Sequence, residues 1–180
     1  SQDYPRIINA KHFARLSNLL SCGEVFCGGE LYPEENRIAP TVLTGVSPDS
    51  AVMQEEIFGP VLPVLEVDRI EEAIDFVNSR PKPLALYCFT ASKQVMRQVL
   101  KNTSSGGGCI NDTVMHVSSE RLPFGGVGAS GMGRYHGKAS FETFSHFRSI
   151  LHKPAGLEMR VKYPPHDENK IKRVKKLLHK

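Results

Sequence analysis

A chain of 180 residues, 40% hydrophobic and 23% charged, is long enough to bury a core and too apolar for wholesale disorder. Its net charge of +4 is lodged at the C-terminus: residues 170–180 hold six Lys or Arg and no acid, while the rest carries 17 basic against 19 acidic side chains. A near-neutral body excludes a general nucleic-acid binder, and no apolar run approaches the roughly 20 residues of a membrane-spanning helix.

The chain opens Ser1-Gln2-Asp3 without Met, as processing or an incomplete sequence would produce, and shows no charged n-region before an apolar block. Cys22, Cys27, Cys88 and Cys109 match neither a Cys-x-x-Cys pair nor a zinc framework. No metal site is expected, and the expected setting is reducing and cytoplasmic.

Taken in order, Asn9 followed by Phe13, Leu16, Leu19 and Leu20 predicts an amphipathic helix, with Asn9 as N-cap and Gly23 past its end. Val25–Cys27 reads as a short strand closed by Gly28-Gly29, and Tyr32–Asn36 as a surface loop. Ile38–Val46 is a second strand region around Pro40, and Ser47–Ser50 a turn. Val61–Val67 is strand-like, although Pro63 bars an uninterrupted central ladder.

Asp68 and Glu71 have capping-box spacing, and Ile70, Ala73, Ile74 and Val77 form the stripe of a helix lying on a sheet. Pro81 and Pro83 end it. Leu84–Phe89 suits a strand buried on both faces, and Val95, Met96, Val99 and Leu100 predict the next helix. This alternation predicts an α/β fold with a parallel, Rossmann-like sheet. Cys109–Val117 then predicts a further strand, which leaves the body and pairs with a partner subunit. The expected divisions are a body (1–108), an oligomerisation strand (109–122), a glycine-rich return (123–165) and a basic tail (166–180).

Gln54–Val64 joins two acids, an aromatic and a Gly-Pro turn without a spacer. Pro60 sets its own φ and restricts Gly59, so a neighbouring carboxylate can be aimed by fixed backbone. Gly126-Val127-Gly128-Ala129-Ser130-Gly131 is a literal G-x-G-x-x-G, but no buried strand precedes it and no apolar helical stripe follows. Its glycines are expected to let a loop cross packed backbone.

Glu56-Ile57-Phe58-Gly59-Pro60-Val61 resembles the corresponding signature of aldehyde dehydrogenases. Leu122–Phe147, LPFGGVGASGMGRYHGKASFETFSHF, resembles the C-terminal signature of their class-three branch. Arg6–Asn9 with His12-Phe13, Asn111-Asp112 and Lys162–Pro165 fit as well, so the similarity runs in order over about residues 4–165.

The resemblance implies oxidation of aldehydes to carboxylic acids with NAD or NADP. A Cys thiolate forms a thiohemiacetal and thioester, and a Glu base activates the water that releases the acid. It implies that Glu56 binds the nicotinamide ribose and that Phe58 packs near the nicotinamide ring. Phe124 and His136, with Val114, Val117 and Ser118, fall at the substrate funnel. Glu55 reads as a solvated neighbour.

In the family the nucleophilic Cys follows Gly-Gln-x, and none of the four cysteines here does. The region resembled is the C-terminal third, beginning after that nucleophile, so the 180 residues alone are expected to oxidise no aldehyde. Substrates would be medium- to long-chain or aromatic aldehydes, and the expected assembly is a homodimer through 109–122. An alternative is an inactive product that binds full-length subunits through the same strand. The tail at 170–180 reads either as a basic amphipathic helix touching anionic membrane or as a solvated, frayed terminus. There is no C-terminal Cys-a-a-X box.

Overall fold

The computed structural model describes residues 4–178, so the opening tripeptide and the last two residues of the basic tail lie outside the described residues. Helix α1 (Ala10–Leu19) begins where expected: Asn9 is extended, and its side chain accepts from the His12 N–H at 2.9 Å. Strands β1 (Glu24–Cys27), β2 (Leu31–Tyr32), β3 (Arg37–Ile38), β4 (Thr41–Thr44) and β5 (Val61–Pro63) follow. Strand β4 is central, antiparallel to β1 and parallel to β5, while β2 and β3 form a separate hairpin. Leu16 and Leu19 pack with Ile38, Leu43, Val46, Val52 and Val61 into the larger apolar cluster. Helix α1 is thereby clamped to the β4–β5 edge.

Helix α2 (Ile70–Asn78), strand β6 (Ala85–Cys88), helix α3 (Lys93–Asn102) and strand β7 (Gly107–Ile110) form the second unit. Strands β6 and β7 are parallel, with Tyr87 opposite Cys109, and α3 is the crossover. Ile74, Cys88 and Val99 centre its cluster, with Leu86 and Ile110 packed against it. Arg80, just past α2, joins the units by donating to the Met53 carbonyl at 2.9 Å and to that of Pro48. The fold is mixed α/β with parallel strands, as the alternation predicts.

Helices α2 and α3 are tied by Gln98, whose amide donates to Glu71 Oε1 at 2.7 Å. That bond, then Glu71's own backbone N–H, then the Arg69 charge hold the Glu71 carboxyl below its usual range. A depressed carboxylate adds stability above its unfolded pKa, and this is lost as pH falls through the folded value. Gln98→Ala is expected to move the Glu71 titration, followed by NMR, upward toward the ordinary range. An unmoved titration would contradict this origin.

Several expectations need correction. The Asp68–Glu71 capping box does not form; Arg69 is the N-cap residue, and Glu72 reaches back to accept from the Asp68 N–H at 3.1 Å. Tyr32 belongs to a strand and Pro33–Glu35 to a 3-10 turn. Strand β6 is not buried on both faces, since Tyr87 remains 37% exposed.

The largest change concerns 109–122. Only Cys109 and Ile110 are strand, and they belong to the body through β6. Asn111, at φ +56, bonds both Thr90 N–H and C=O through its side chain and ends the strand. The chain then turns into a short helix, α4 (Met115–Ser118). Side-chain bonding to backbone here outcompetes the β-propensity of Ile, Thr and Val. No protruding strand is present at 109–122, and the alternative of an inactive product pairing through it loses that strand. Helices α5 (Gly137–Thr143) and α6 (Glu168–Leu178) complete the chain.

Candidate functional site

The Glu55–Pro60 loop is hung between α1 and β4. From α1, Arg15 donates to Glu55 Oε1 at 2.9 Å and to the Ile57 carbonyl at 2.5 Å. At the other end, the Pro60 carbonyl accepts from Thr41 N–H at 2.7 Å. Gly59 lies so close to α1 that an added Cβ would sit 2.6 Å from both Leu16 methyls. Glu56 is held between two residues gripped by one guanidinium. Glu55 is exposed as expected, but it is Arg15's ion-pair partner rather than merely solvated.

Glu56 lines a cleft of about 690 Å³ with Pro81–Ala85, Tyr87, Ala129 and Ser130. The structure therefore brings the acidic loop and the glycine-rich span to one opening. Phe58, at φ +48 and 75% exposed, instead lines a neighbouring hollow of about 500 Å³ with residues 4–8, His12, Gly59 and Pro60. The two candidate cofactor residues share a loop but not a cavity.

The glycine-rich span folds as a tight crossover. Phe124 and Tyr135 exchange backbone hydrogen bonds of 2.9 Å. A Cβ on Gly126 would fall 2.0 Å from the Ser130 carbonyl oxygen, so only glycine fits. Gly128–Ser130 is a single 3-10 turn, not the start of a helix that could hold a pyrophosphate.

A continuous run of rings covers one face of β6–β7. Tyr87 meets His116 edge-on at 5.8 Å, and His116 meets Phe124 at 5.7 Å. Phe124 stacks on His136 at 6.4 Å and 29°. His136 donates from Nδ1 to the Leu122 carbonyl at 3.2 Å, which orients the ring against Phe124. Phe124 and His136 thus meet in a wall.

Val114, 61% exposed at φ +61, precedes α4, which carries Val117 and Ser118; the Ser118 hydroxyl donates to the Met115 carbonyl at 2.8 Å. Their link to the wall is His116, on the same helix. Neither His116 nor Arg15 was among the predicted site residues. Arg15 carried no local signal, because its partner is 40 positions away. His116 did carry one, as a histidine amid an apolar β-branched run.

The aldehyde dehydrogenase family model matches residues 6–150. The chain belongs to that family. It is 53% identical over 174 residues to aldehyde dehydrogenase family 3 member B1 of Homo sapiens, covering 96% of this chain and 37% of that relative. It is 50% identical over 177 residues to 4,4'-diaponeurosporen-aldehyde dehydrogenase of Staphylococcus aureus, covering 97% and 38% respectively. The solved substrate-bound state of Staphylococcus aureus AldH has a TM-score of 0.84 at 49% identity, over 99% of this chain and 39% of that one. An aldehyde dehydrogenase from Bacillus cereus, solved as its NAD+ complex, has a TM-score of 0.72 at 31% identity, over 80% and 30%. The class-three resemblance is upheld. The chain spans well under half the length of these relatives.

Proposed function

We propose that this chain serves in an enzyme that oxidises aldehydes to carboxylic acids with NAD or NADP, and that it supplies cofactor and substrate contacts rather than the nucleophile. The observation that carries this reading is Glu56, presented at the cleft between the two Arg15 contacts. Among the described residues the ion pair of this loop is made by Glu55, while Glu56 makes no salt bridge and lines the cleft. Two carboxylate oxygens suit the vicinal hydroxyls of a ribose, so the residues present fit the nicotinamide end of the cofactor. When bound, that group would accept the hydride. The chain's own part is positioning: Glu56 would accept from the ribose at its cleft, and Phe58, which lines the neighbouring hollow on the same loop, would border the ring where the cofactor extends past that cleft. Phe124 and His136, with Val114, Val117 and Ser118 nearby, form an apolar wall suited to fatty or aromatic aldehydes.

A homodimer fits this reading, but without a protruding 109–122 strand. Helix α6 carries Lys170, Lys172, Arg173, Lys175 and Lys176, and Asp167 caps it by accepting from the Lys170 N–H at 2.8 Å. This composition supports peripheral contact of a cytoplasmic protein with an anionic surface. No helix among the described residues is long and apolar enough to cross a membrane.

The test is turnover. The 180 residues alone are expected to reduce no NAD in the presence of a fatty or aromatic aldehyde. A longer reading frame that places Gly-Gln-x-Cys upstream is expected to do so. An inactive longer protein, or turnover by the 180 residues that Cys109→Ser abolishes, would overturn the assignment.

A further inference from the structure

Cys109 and His116 form a polar pair that the aldehyde reading does not use. Cys109 Sγ lies 3.4 Å from His116 Nδ1. His116 is only 9% exposed and is held by Tyr87 and Phe124 through ring packing. Its Nε2 has no hydrogen-bond partner among the described residues. A buried imidazole with one nitrogen unpartnered is costly, and the thiol is the polar neighbour that its other nitrogen meets.

The glycine before the pair makes room for the ring, since a Cβ on Gly107 would lie 3.0 Å from His116 Cδ2. Cys109 itself is only partly buried, and the strand pleat puts its side chain on the Tyr87 and His116 face of β6–β7, opposite Leu86 and Ile110. The sulfur therefore has a base within reach and enough exposure for a small reagent to reach it. The other cysteines offer controls: Cys27 is exposed and Cys88 is buried, and neither has an imidazole partner among the described residues.

We propose that Cys109 and His116 are a reactive thiol–imidazole pair, a modification site for activated alkenes such as α,β-unsaturated carbonyl compounds. In the step, His116 Nδ1 takes the thiol proton as sulfur bonds to the β-carbon of the alkene. The alkene π pair shifts toward the carbonyl to give an enolate, which takes the proton back from the imidazolium at its α-carbon. The product is a thioether; nothing is oxidised or reduced, and no group leaves.

The test labels the full chain with limiting N-ethylmaleimide at neutral pH and follows each cysteine by peptide mass spectrometry. Cys109 is expected to react about tenfold faster than Cys27 despite its lower exposure, and His116→Gln is expected to remove that advantage while Cys27 keeps its rate. Cys88 reports on folding, because it stays unlabelled while the β6–β7 core is closed. If His116→Gln exposes Cys88, the comparison of Cys109 with Cys27 in the unsubstituted chain decides alone. Cys109 reacting no faster than Cys27, or reacting at an unchanged rate in a folded His116→Gln variant, overturns the proposal. The readout is thioether mass, so failure here leaves the aldehyde reading untouched.

Discussion

Replacing Glu56 with Gln in an active enzyme carrying this chain is expected to lower kcat/KM for NAD about 10- to 100-fold. The range follows from losing a hydrogen bond to a charged group, worth about 1.5–3 kcal/mol. The amide keeps the size of the side chain and one acceptor, so the loop itself should stand. Glu55→Gln is the matched control. It disturbs an ion pair whose carboxylate is 62% exposed, and exposed pairs are worth at most about 1 kcal/mol. Its effect on NAD kinetics should therefore be several-fold smaller. If Glu55→Gln were the more damaging change, the two carboxylates would have to exchange roles.

Leu16→Ala is expected to cost about 2–5 kcal/mol in unfolding free energy, read by urea denaturation. Leu16 is fully buried at the centre of the larger cluster, and its truncation leaves a cavity that α1 and β4 cannot close without moving. The same methyls press on Gly59, so the cavity opens directly beneath the Glu55–Pro60 loop. A weaker grip on NAD should accompany the loss of stability, because Arg15 and Leu16 sit on the same turn of α1. A cost below about 1 kcal/mol would mean that the helix relaxes onto the sheet, a much smaller effect than core truncations usually have. The substitution links packing to the site more directly than a change within the loop would.

Local chemistry was legible where the deciding partners lie close in sequence. Asn9 caps α1 because the bond spans three residues, and Pro63 is tolerated because β5 is an edge strand whose neighbour Val64 still donates to the Leu43 carbonyl at 2.8 Å. The α2 stripe and the β6–α3–β7 crossover followed from periodicity. The Asp68 box failed because a second acid, Glu72, stood one residue further on and reached the same N–H. The 109–122 strand failed for a related reason: propensity described the side chains, while Asn111 locked the backbone to Thr90, 21 positions earlier.

The sequence by itself determined the family, through the ordered motifs of Glu56–Val61 and Leu122–Phe147, and it determined which residue types stand ready for cofactor and substrate. It could do so because each motif's chemistry is carried within a few consecutive residues. Tertiary structure alone decided that Arg15 grips both flanks of Glu56, that Glu56 and Phe58 open to different hollows, and that His116 joins Cys109 to Phe124. Each of these depends on where separate segments land. Their contacts are set by the burial of Leu16, Ile38 and Leu43 and by the β6–β7 pairing, which no local pattern encodes.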